Sequence, residues 1–263
     1  MPLGSPLAAD IFSLKGRVAL ITGASSGLGE RFAEVAAANG ASVMLTARRE
    51  EKLKEIAARI EKAGGKAGYF AADATDNAGM ACAFDAAEKK FGTVDLFVAN
   101  AGMARLGKVL EMPEDEYRKL MALDMDAVFF NSREAVKRMI AANRPGAIVT
   151  TASIAAFIVE RNIVAYNMAK AAVVQFTKGF ALEVARKGIR VNAIAPGYVV
   201  TDINRDFLLS PKGQEGKAKL PLARYGEADD LDGTFLLLGS NASRWMTGST
   251  IVIDGGHILT AGG

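Results

Sequence analysis

Short apolar runs alternate with longer helical patterns along this chain, and that alternation restricts the folds open to it more than any other feature. Repeated β-α units of this kind give a parallel sheet covered by helices on both faces. Because crossovers between parallel strands are right-handed, a doubly wound sheet is favoured. The predicted strands cover Arg17–Thr22, Ser42–Thr46, Ala67–Ala71, Val94–Val98, Ala147–Thr151, Arg190–Ala195 and Thr250–Ile253.

The segments between these strands carry helical periodicity and usually end at glycine. A β/α barrel needs eight β-α units, whereas this chain shows about six or seven, so an open sheet of about seven strands is preferred. Because no linker, repeat or charge run divides the sequence, we predict one domain over residues 1–263, with a substrate lid at about residues 196–221. The predicted helices cover Leu28–Asn39, Glu50–Ala63, Asp76–Phe91, Glu114–Ala142 with interruptions, Ala165–Lys187 and Ala228–Leu238.

Charge and cysteine content exclude several classes of function. The chain holds 32 basic and 29 acidic residues, a net charge of +3, and the basic residues are dispersed, so we expect no nucleic-acid partner. No apolar stretch is long enough for a membrane span, the N-terminus lacks a signal-peptide pattern, and no cluster of residues has metal-ligand spacing. The single cysteine, Cys82, is predicted to be a small buried residue. A lone cysteine suits a reducing compartment, so we expect a cytoplasmic protein with no membrane partner and no metal.

A glycine-rich loop follows the first predicted strand and opens the first predicted helix. Gly23 would permit the tight turn, Gly27 would let the backbone approach a pyrophosphate, and Gly29 would let the helix pack close to the strand. The helix N-terminus would then offer free N–H groups and a positive dipole to phosphates. This context favours a dinucleotide site over an ordinary turn. The predicted cofactor contacts in the loop are Gly23, Ser25, Ser26, Gly27, Leu28 and Gly29.

The end of the second strand indicates which dinucleotide is bound. An NAD site usually has Asp or Glu there, which accepts a hydrogen bond from the ribose 2′-hydroxyl. Here Arg48 and Arg49 stand in that place, and guanidinium groups match a 2′-phosphate in charge and geometry. The alternative is that both arginines face water at the end of the strand, and Ser26 adds no further positive charge. We predict NADP as the cofactor.

Three residues have the chemistry that carbonyl reduction requires. Tyr166 and Lys170 are four apart in a helical pattern and so share a face, and Ser153 follows the fifth strand, at the edge where ligands of such sheets bind. The reaction needs a hydride from the cofactor and a proton for the oxygen. A nearby ammonium favours a phenolate, so Tyr166 would act as acid or base near neutral pH, while Ser153 holds the substrate oxygen.

These motifs together resemble the short-chain dehydrogenase/reductase family over essentially the whole chain. TGASSGLG begins at Thr22, NAG at Asn100, YNMAK at Tyr166 and DGG at Asp254, with Ser153 at the family's spacing from the tyrosine. The resemblance implies a single-domain Rossmann fold and further contacts to the adenine, the central part of the cofactor and the nicotinamide. In this sequence those positions are Asp73 and Ala74, then Asn100, Ala101 and Gly102, then Pro196, Gly197, Val199 and Thr201, with Tyr166 and Lys170 also bordering the nicotinamide ribose.

One position departs from the family's pattern. Where the family usually has an asparagine that helps to hold a water near the lysine, this sequence has Asp124. An ionised Asp124 would raise the pKa of Lys170, and it would oppose a phenolate on Tyr166. Our hypothesis is that Asp124 takes the place of the asparagine and that the enzyme is active, because the other three catalytic residues are intact.

Apolar residues dominate the segments expected to line the substrate site, which favours an apolar or aromatic ketone or secondary alcohol. The alternative for each of them is a place in the core. A second candidate function is reduction of 3-oxoacyl groups on acyl carrier protein, for which Arg144 would be a basic contact beside the pocket, although Leu182 replaces another basic residue that this subgroup often carries. The expected lining residues are Met103, Ile154, Ala155, Phe157, Tyr198, Ile203, Phe207, Leu208 and Leu209.

The predicted helix Ala165–Lys187 is apolar on more than one face, so it must be buried on several sides. The family commonly forms tetramers through this helix and its predecessor, which implies a homotetramer or a homodimer, with Ile258 and Leu259 in a second interface. His257, the only histidine, is interpreted as structural or exposed. Two rival functions are a non-catalytic NADP-binding regulator, which would not need the catalytic residues, and a nucleic-acid-binding module, which the near-neutral charge disfavours.

Overall fold

The computed structural model describes residues 7–202 and 204–260, and its centre is one seven-stranded parallel sheet. The strand order β3-β2-β1-β4-β5-β6-β7 starts in the middle and winds outward in both directions, which confirms the predicted doubly wound α/β fold. Each predicted strand agrees with the observed one to within two residues at either end. The strands are β1 Val18–Thr22, β2 Ser42–Ala47, β3 Lys66–Ala71, β4 Leu96–Ala99, β5 Gly146–Thr151, β6 Ile189–Pro196 and β7 Thr250–Ile253.

Helices cover both faces of this sheet, and their apolar sides form two cores. On one face Phe32 stacks on Phe235, with ring centroids 4.7 Å apart, and on the other Phe84 packs against Phe97 at 5.5 Å. All five residues of β1 are buried, as expected for a parallel strand that is covered on both sides. The helices are α1 Ala8–Ile11, α2 Gly27–Ala38, α3 Glu50–Lys62, α4 Asn77–Phe91, α5 Glu114–Met121, α6 Ala127–Ala141, α7 Val164–Val184, α8 Arg205–Leu209, α9 Pro211–Ala218, α10 Asp232–Gly239 and α11 His257–Thr260.

Three predicted helices are divided in the structure. The segment Glu114–Ala142 forms α5 and α6 with a single π-helical turn, Ala122–Asp126, between them. The predicted helix Ala228–Leu238 begins as a 3₁₀ turn, and the predicted helix Ala165–Lys187 ends as one, so that α10 and α7 are shorter than expected. Sequence periodicity does not distinguish these tighter and wider turns from an α-helix, because the same residues remain on the buried face.

Cys82 is exposed, so the prediction that it is buried was wrong. The apolar content of α4 suggested burial, but the side of the helix that faces the core carries Met80, Ala83, Phe84 and Ala87. Because successive residues turn by about 100° around a helix, Cys82 projects away from that side into solvent.

Arg144 lies at the opposite edge of the sheet from the predicted catalytic residues, so the expectation that it lines the substrate pocket was wrong. Its Nε donates a hydrogen bond of 2.9 Å to Oδ2 of buried Asp95, and its Nη2 lies 2.8 Å from the same oxygen and donates to the carbonyl of Gly16 at 3.1 Å. The second oxygen of Asp95 accepts from the amide of Val18 at the amino end of β1. Arg144 therefore neutralises a buried carboxylate where β1 and β4 begin.

Within residues 7–202 and 204–260, no helix is both long and apolar enough to cross a membrane, and no group of three or more histidine, cysteine and carboxylate side chains could hold a metal ion. The predicted lining residue Ile203 and the two ends of the predicted domain lie outside these described residues.

Candidate active site

The glycine loop turns sharply between β1 and α2, at the carboxyl edge of the sheet where the strand order reverses. Gly23 and Gly27 have φ angles of 68° and 58°, a left-handed conformation that favours glycine. A Cβ on Gly29 would lie 2.6 Å from the side-chain nitrogen Nδ2 of Asn100, so only glycine lets α2 begin this close to the strand. No side chain caps the N-terminus of α2, and its free N–H groups fit a phosphate.

Thr22 ties this loop to the NAG turn that follows β4. Its hydroxyl accepts hydrogen bonds from the amides of Asn100 and Ala101, each at 2.9 Å, and donates to the carbonyl of Val98. The side chain of Asn100 donates to the carbonyl of Thr22 at 3.0 Å and accepts from the hydroxyl of Thr151 at 3.3 Å. The carboxyl ends of β1, β4 and β5 are thereby held in one rigid network.

Arg49 reaches from the end of β2 back to the glycine loop. Its guanidinium donates to the hydroxyl of Ser25 at 2.9 and 3.1 Å and to the hydroxyl of Ser26 at 2.7 Å. Arg48, its neighbour, is exposed. The structure therefore brings two positive charges to the end of the second strand, and no carboxylate occupies the position that a ribose 2′-hydroxyl would require.

Asp73 and Ala74, which follow β3, form the next wall of this groove. Burial opposes the charge of Asp73, but hydrogen bonds from the amide and hydroxyl of Thr75, together with the charge of Arg48, hold its pKa below the ordinary value. The carbonyl of Ala74 accepts a hydrogen bond of 2.9 Å from buried Asn131 of α6. Sequence reasoning missed Asn131, because nothing in the pattern of α6 distinguishes a buried asparagine that binds a distant loop.

Lys170 is buried in α7 and lies close to two other predicted catalytic residues, Asp124 and Tyr166. Its Nζ donates to the carbonyl of Thr151 at 3.2 Å, lies 3.2 Å from Oδ2 of Asp124, and lies 5.4 Å from the ring centroid of Tyr166. Burial opposes the ammonium charge, yet the negative charge of Asp124, with a contribution from Tyr166, raises the pKa of Lys170 above its ordinary value. The ammonium form therefore persists at neutral pH.

The π turn between α5 and α6 delivers Asp124 to this lysine. The side chain of Asp124 is fully buried, and its Oδ1 accepts a hydrogen bond of 2.8 Å from the amide of Met103. A Cβ on Gly102 would lie 3.3 Å from Oδ2 of Asp124 and 3.4 Å from Nζ of Lys170, so the NAG turn passes directly against the ion pair. Single π turns of this kind are frequent at functional sites.

Ser153 follows β5 in an extended conformation and begins a short 3₁₀ turn. Its hydroxyl oxygen accepts a hydrogen bond of 3.1 Å from the amide of Ala155, which leaves its hydrogen free to donate. Asn167, the neighbour of Tyr166, donates to the carbonyls of Ala155 at 2.6 Å and Ile158 at 2.9 Å. Thus α7 holds the turn that carries Ser153, and Asn167 is a second supporting residue that sequence reasoning missed.

The loop after β6 closes over the glycine loop. A Cβ on Gly27 would lie 3.4 Å from the methyl carbon of Thr201, and a Cβ on Gly197 would clash with Asp254 at 2.6 Å. Asn204 accepts hydrogen bonds from the amide of Thr201 at 2.8 Å and from its hydroxyl at 3.2 Å, which fixes this residue above the groove.

The two short helices α8 and α9 follow this loop, within the segment predicted as a lid. Leu208 is buried against Leu220 and Tyr225, so its predicted role as a lining residue gives way to the alternative of a place in a small core. Phe207 and Leu209 are exposed, as is Phe157 in the turn after Ser153.

Tyr198 joins the lid segment to two residues that the sequence did not mark as part of the site. Its hydroxyl donates to Oε2 of Glu160 at 2.7 Å, and its ring stacks on that of His257, with centroids 5.5 Å apart. Burial, and then the carboxylate of Glu160, raise the pKa of Tyr198 above its ordinary value. Sequence spacing gave no signal for this cluster, because it forms only when the tail after β7 folds back across the end of β6.

Comparison with known proteins places this architecture in a family. A family model described as enoyl-(acyl carrier protein) reductase matches residues 23–257. Sorbose reductase of Candida albicans is 37% identical over 94% of this chain and 89% of its own, and gluconate 5-dehydrogenase of Gluconobacter oxydans is 33% identical over 94% and 96%.

The solved structures agree with these sequence relatives. A short-chain type dehydrogenase/reductase from Mycobacterium marinum superposes with a TM-score of 0.91 at 37% identity, over 94% of this chain and 98% of that one. Gluconate 5-dehydrogenase from Burkholderia cenocepacia also gives a TM-score of 0.91, at 33% identity over 96% and 99%. The chain therefore belongs to the short-chain dehydrogenase/reductase family of oxidoreductases, which bind a nicotinamide cofactor.

Proposed function

We propose that this protein is an NADP(H)-dependent oxidoreductase that reversibly reduces a ketone to a secondary alcohol on a small apolar or aromatic substrate. The observation that carries the proposal is the buried ammonium of Lys170, 5.4 Å from the ring of Tyr166 and paired with Asp124. A phenol beside an ammonium that stays charged at neutral pH is suited to giving up and taking back a proton.

The residues of this chain have separate roles in the proposed reaction. When bound, the nicotinamide supplies the hydride. Tyr166 gives its proton to the carbonyl oxygen during reduction and removes it from the alcohol during oxidation. The free hydroxyl hydrogen of Ser153 donates to the same oxygen and stabilises its developing charge. Lys170, kept charged by Asp124, stabilises the phenolate that remains on Tyr166.

The choice of NADP rests on Arg48 and Arg49 at the end of β2. Ser25 and Ser26 hold Arg49 over the glycine loop, so its guanidinium is already in place for a 2′-phosphate. The Burkholderia cenocepacia structure, which contains NADP and tartrate, supports this choice. So does the NADP-dependent (R)-specific alcohol dehydrogenase of Lentilactobacillus kefiri, which is 34% identical over 93% of this chain.

The alternative function, reduction of 3-oxoacyl groups on acyl carrier protein, has support from relatives but not from the residues around the candidate active site. The 3-oxoacyl-[acyl-carrier-protein] reductase of Salmonella typhimurium is 35% identical over 94% of this chain. However, the basic residue expected to meet that carrier, Arg144, is engaged with Asp95 at the opposite edge of the sheet. We therefore propose a free small molecule as the substrate, with the segment 196–221 as its lid in a single domain.

We further propose a homotetramer or homodimer in the cytoplasm, assembled through α6 and α7. Phe129, Phe176 and Phe180 form a connected aromatic cluster on these helices, with centroids 5.6 and 5.1 Å apart, and Phe129 is 44% exposed. Leu182, further along α7, is 84% exposed. An exposed apolar surface of this kind is a typical protein–protein interface.

The test is NADPH consumption, followed by absorbance, over a panel of ketones. Tyr166→Phe removes the proton donor and is expected to lower turnover at least about a hundredfold, whereas Tyr69→Phe, on the outer strand β3, serves as the matched control and is expected to retain it. NADH is expected to be used more slowly. Full turnover in Tyr166→Phe would refute the proposed mechanism. Tight NADPH binding without turnover of any ketone would instead support the non-catalytic regulator.

A further inference from the structure

A polar cluster beside the candidate active site takes no part in the proposed proton transfer. It consists of Glu160, Tyr198 and His257, which come from three separate segments of the chain. Oε2 of Glu160 accepts the hydroxyl of Tyr198 at 2.7 Å, and the ring of His257 stacks on that of Tyr198. Among the described residues, no donor lies on Oε1 of Glu160, and buried Nδ1 of His257 has no hydrogen-bond partner.

The position of this cluster in the fold is beside the segments that carry the predicted catalytic residues. Glu160 lies on the connection between Ser153 and Tyr166, and Tyr198 directly follows Gly197 at the carboxyl end of β6, the strand next to β5. The cluster therefore lies at the carboxyl edge of the sheet, between segments that carry the predicted catalytic residues and the end of β6.

The chemistry of the cluster selects a hydrogen-bond donor. Glu160 is half-buried, and its carboxylate has one oxygen already satisfied and another unused, so a donor placed there gains a charge-assisted hydrogen bond. A neutral hydroxyl is favoured over a cation, because exposed Arg161 occupies the next position and opposes a second positive charge. Tyr198 holds the carboxylate in one orientation, which makes the site directional.

We propose that Glu160, oriented by Tyr198, binds a hydroxyl group of the substrate at a distance from the reacting carbonyl. The preferred substrates are then hydroxylated ketones and the diols that they form on reduction. This inference rests on the proposed oxidoreductase function and deepens it, because it adds one polar anchor to an otherwise apolar pocket. Glu160 and Tyr198 are specificity-determining residues in this arrangement, and neither exchanges a proton with the reacting oxygen.

The experiment compares 5-hydroxypentan-2-one and 6-hydroxyhexan-2-one with pentan-2-one and hexan-2-one, using NADPH and the full-length protein. The measured quantity is the ratio of kcat/KM for each hydroxy ketone to that for its parent. The native protein is expected to favour the hydroxy ketone, and Glu160→Gln is expected to lower the ratio about tenfold, as loss of a charged hydrogen bond requires. Tyr198→Phe is expected to lower it in the same direction. The control is Glu183→Gln, because Glu183 is an exposed carboxylate about 20 Å along α7 from Lys170.

Each outcome of this comparison either supports or overturns the proposed role of Glu160. A ratio near one in the native protein, or an equal loss with both ketones in Glu160→Gln, overturns the proposal and leaves Glu160 a structural role. If the native protein turns over neither ketone, the proposed function fails independently. Calorimetric binding of hexane-1,5-diol and hexan-2-ol to the NADP-loaded protein then gives the same comparison without turnover. Tighter diol binding that is lost in Glu160→Gln supports the anchor, and equal binding refutes it.

Discussion

Replacing Asp124 by asparagine removes one charge from a buried pair while keeping the shape of the side chain. Asp124 Oδ2 and Lys170 Nζ are 3.2 Å apart, and the two side chains are 0% and 5% exposed, so solvent screens their attraction little. With an effective dielectric constant of about 20, two unit charges at that separation attract by about 5 kcal/mol. About 1.4 kcal/mol suffices to move a titration by one pH unit, so the change is large enough to measure.

The expected result is a pH–rate profile displaced to lower pH. In the native protein the pKa of Lys170 is raised, so its ammonium and the stability that it contributes are present at neutral pH and are lost as the pH rises through that pKa. Without the carboxylate, burial is opposed only by the smaller contribution of Tyr166, so the pKa of Lys170 falls and the ammonium is lost at lower pH. The alkaline limb of kcat/KM therefore moves down.

The assay is kcat/KM for one ketone and its alcohol across the pH range, with the native protein, Asp124→Asn and Asp126→Asn. Asp126 lies two residues further on in the same π turn and is not fully buried, so its substitution controls for disturbance of the backbone. Coincident profiles for native protein and Asp124→Asn would show that the charge of Asp124 does not reach the catalytic groups. A displacement of equal size in Asp126→Asn would assign the effect to the turn itself.

Three further predictions concern cofactor choice, stability and the serine turn. Arg49→Ala is expected to raise the KM for NADPH about tenfold or more and to leave that for NADH nearly unchanged, because it removes a charged contact to the 2′-phosphate; equal losses with both cofactors would contradict this. Arg144→Ala is expected to lower the free energy of unfolding in urea by about 1–3 kcal/mol without changing activity, because Asp95 keeps Arg17 and the amide of Val18 as partners; an activity loss at native stability would return Arg144 to the substrate site. Asn167→Ala removes the hydrogen bonds to the carbonyls of Ala155 and Ile158, so Ser153 loses its fixed position. The substitution is expected to lower kcat about tenfold with little change in the KM for NADPH. An unchanged kcat would show that the turn after Ser153 keeps its conformation without Asn167.

The sequence predicts the sheet well because its signals are local. A parallel strand that is buried on both faces must be a continuous apolar run, as in β1 and β5, and such runs are visible without knowledge of their neighbours. The same holds for the glycine loop, whose residues are constrained by contacts within one β-α unit and by positive φ angles at Gly23 and Gly27.

The features that the sequence did not reveal depend on contacts between distant segments. The π turn at Asp124 adds a residue to a helical turn without changing the apolar pattern. The contact of Asn131 with Ala74 spans 57 positions, and the cluster around Tyr198 needs the tail to return to the site. Cys82 was misplaced for a related reason: composition describes a segment, whereas burial depends on which side of the segment faces a neighbour. Arg144 was placed beside the pocket only by analogy with the acyl-carrier-protein subgroup, and its contact with Asp95 is not visible in the sequence.

The two buried aspartates of this protein show how environment separates a structural charge from one that can tune a reaction. Asp95 and Asp124 are both fully buried, and each is paired with a cation. Asp95, however, has two guanidinium partners that reach into solvent, Arg17 and Arg144, and arginine keeps its charge at every accessible pH. Such a pair only stabilises the fold. Asp124 has a lysine partner, Lys170, that is itself buried and that can lose its proton, beside Tyr166, which exchanges a proton in the proposed mechanism. We therefore expect a change of charge at Asp124 to alter proton transfer, whereas the same change at Asp95 is expected to alter only the free energy of unfolding.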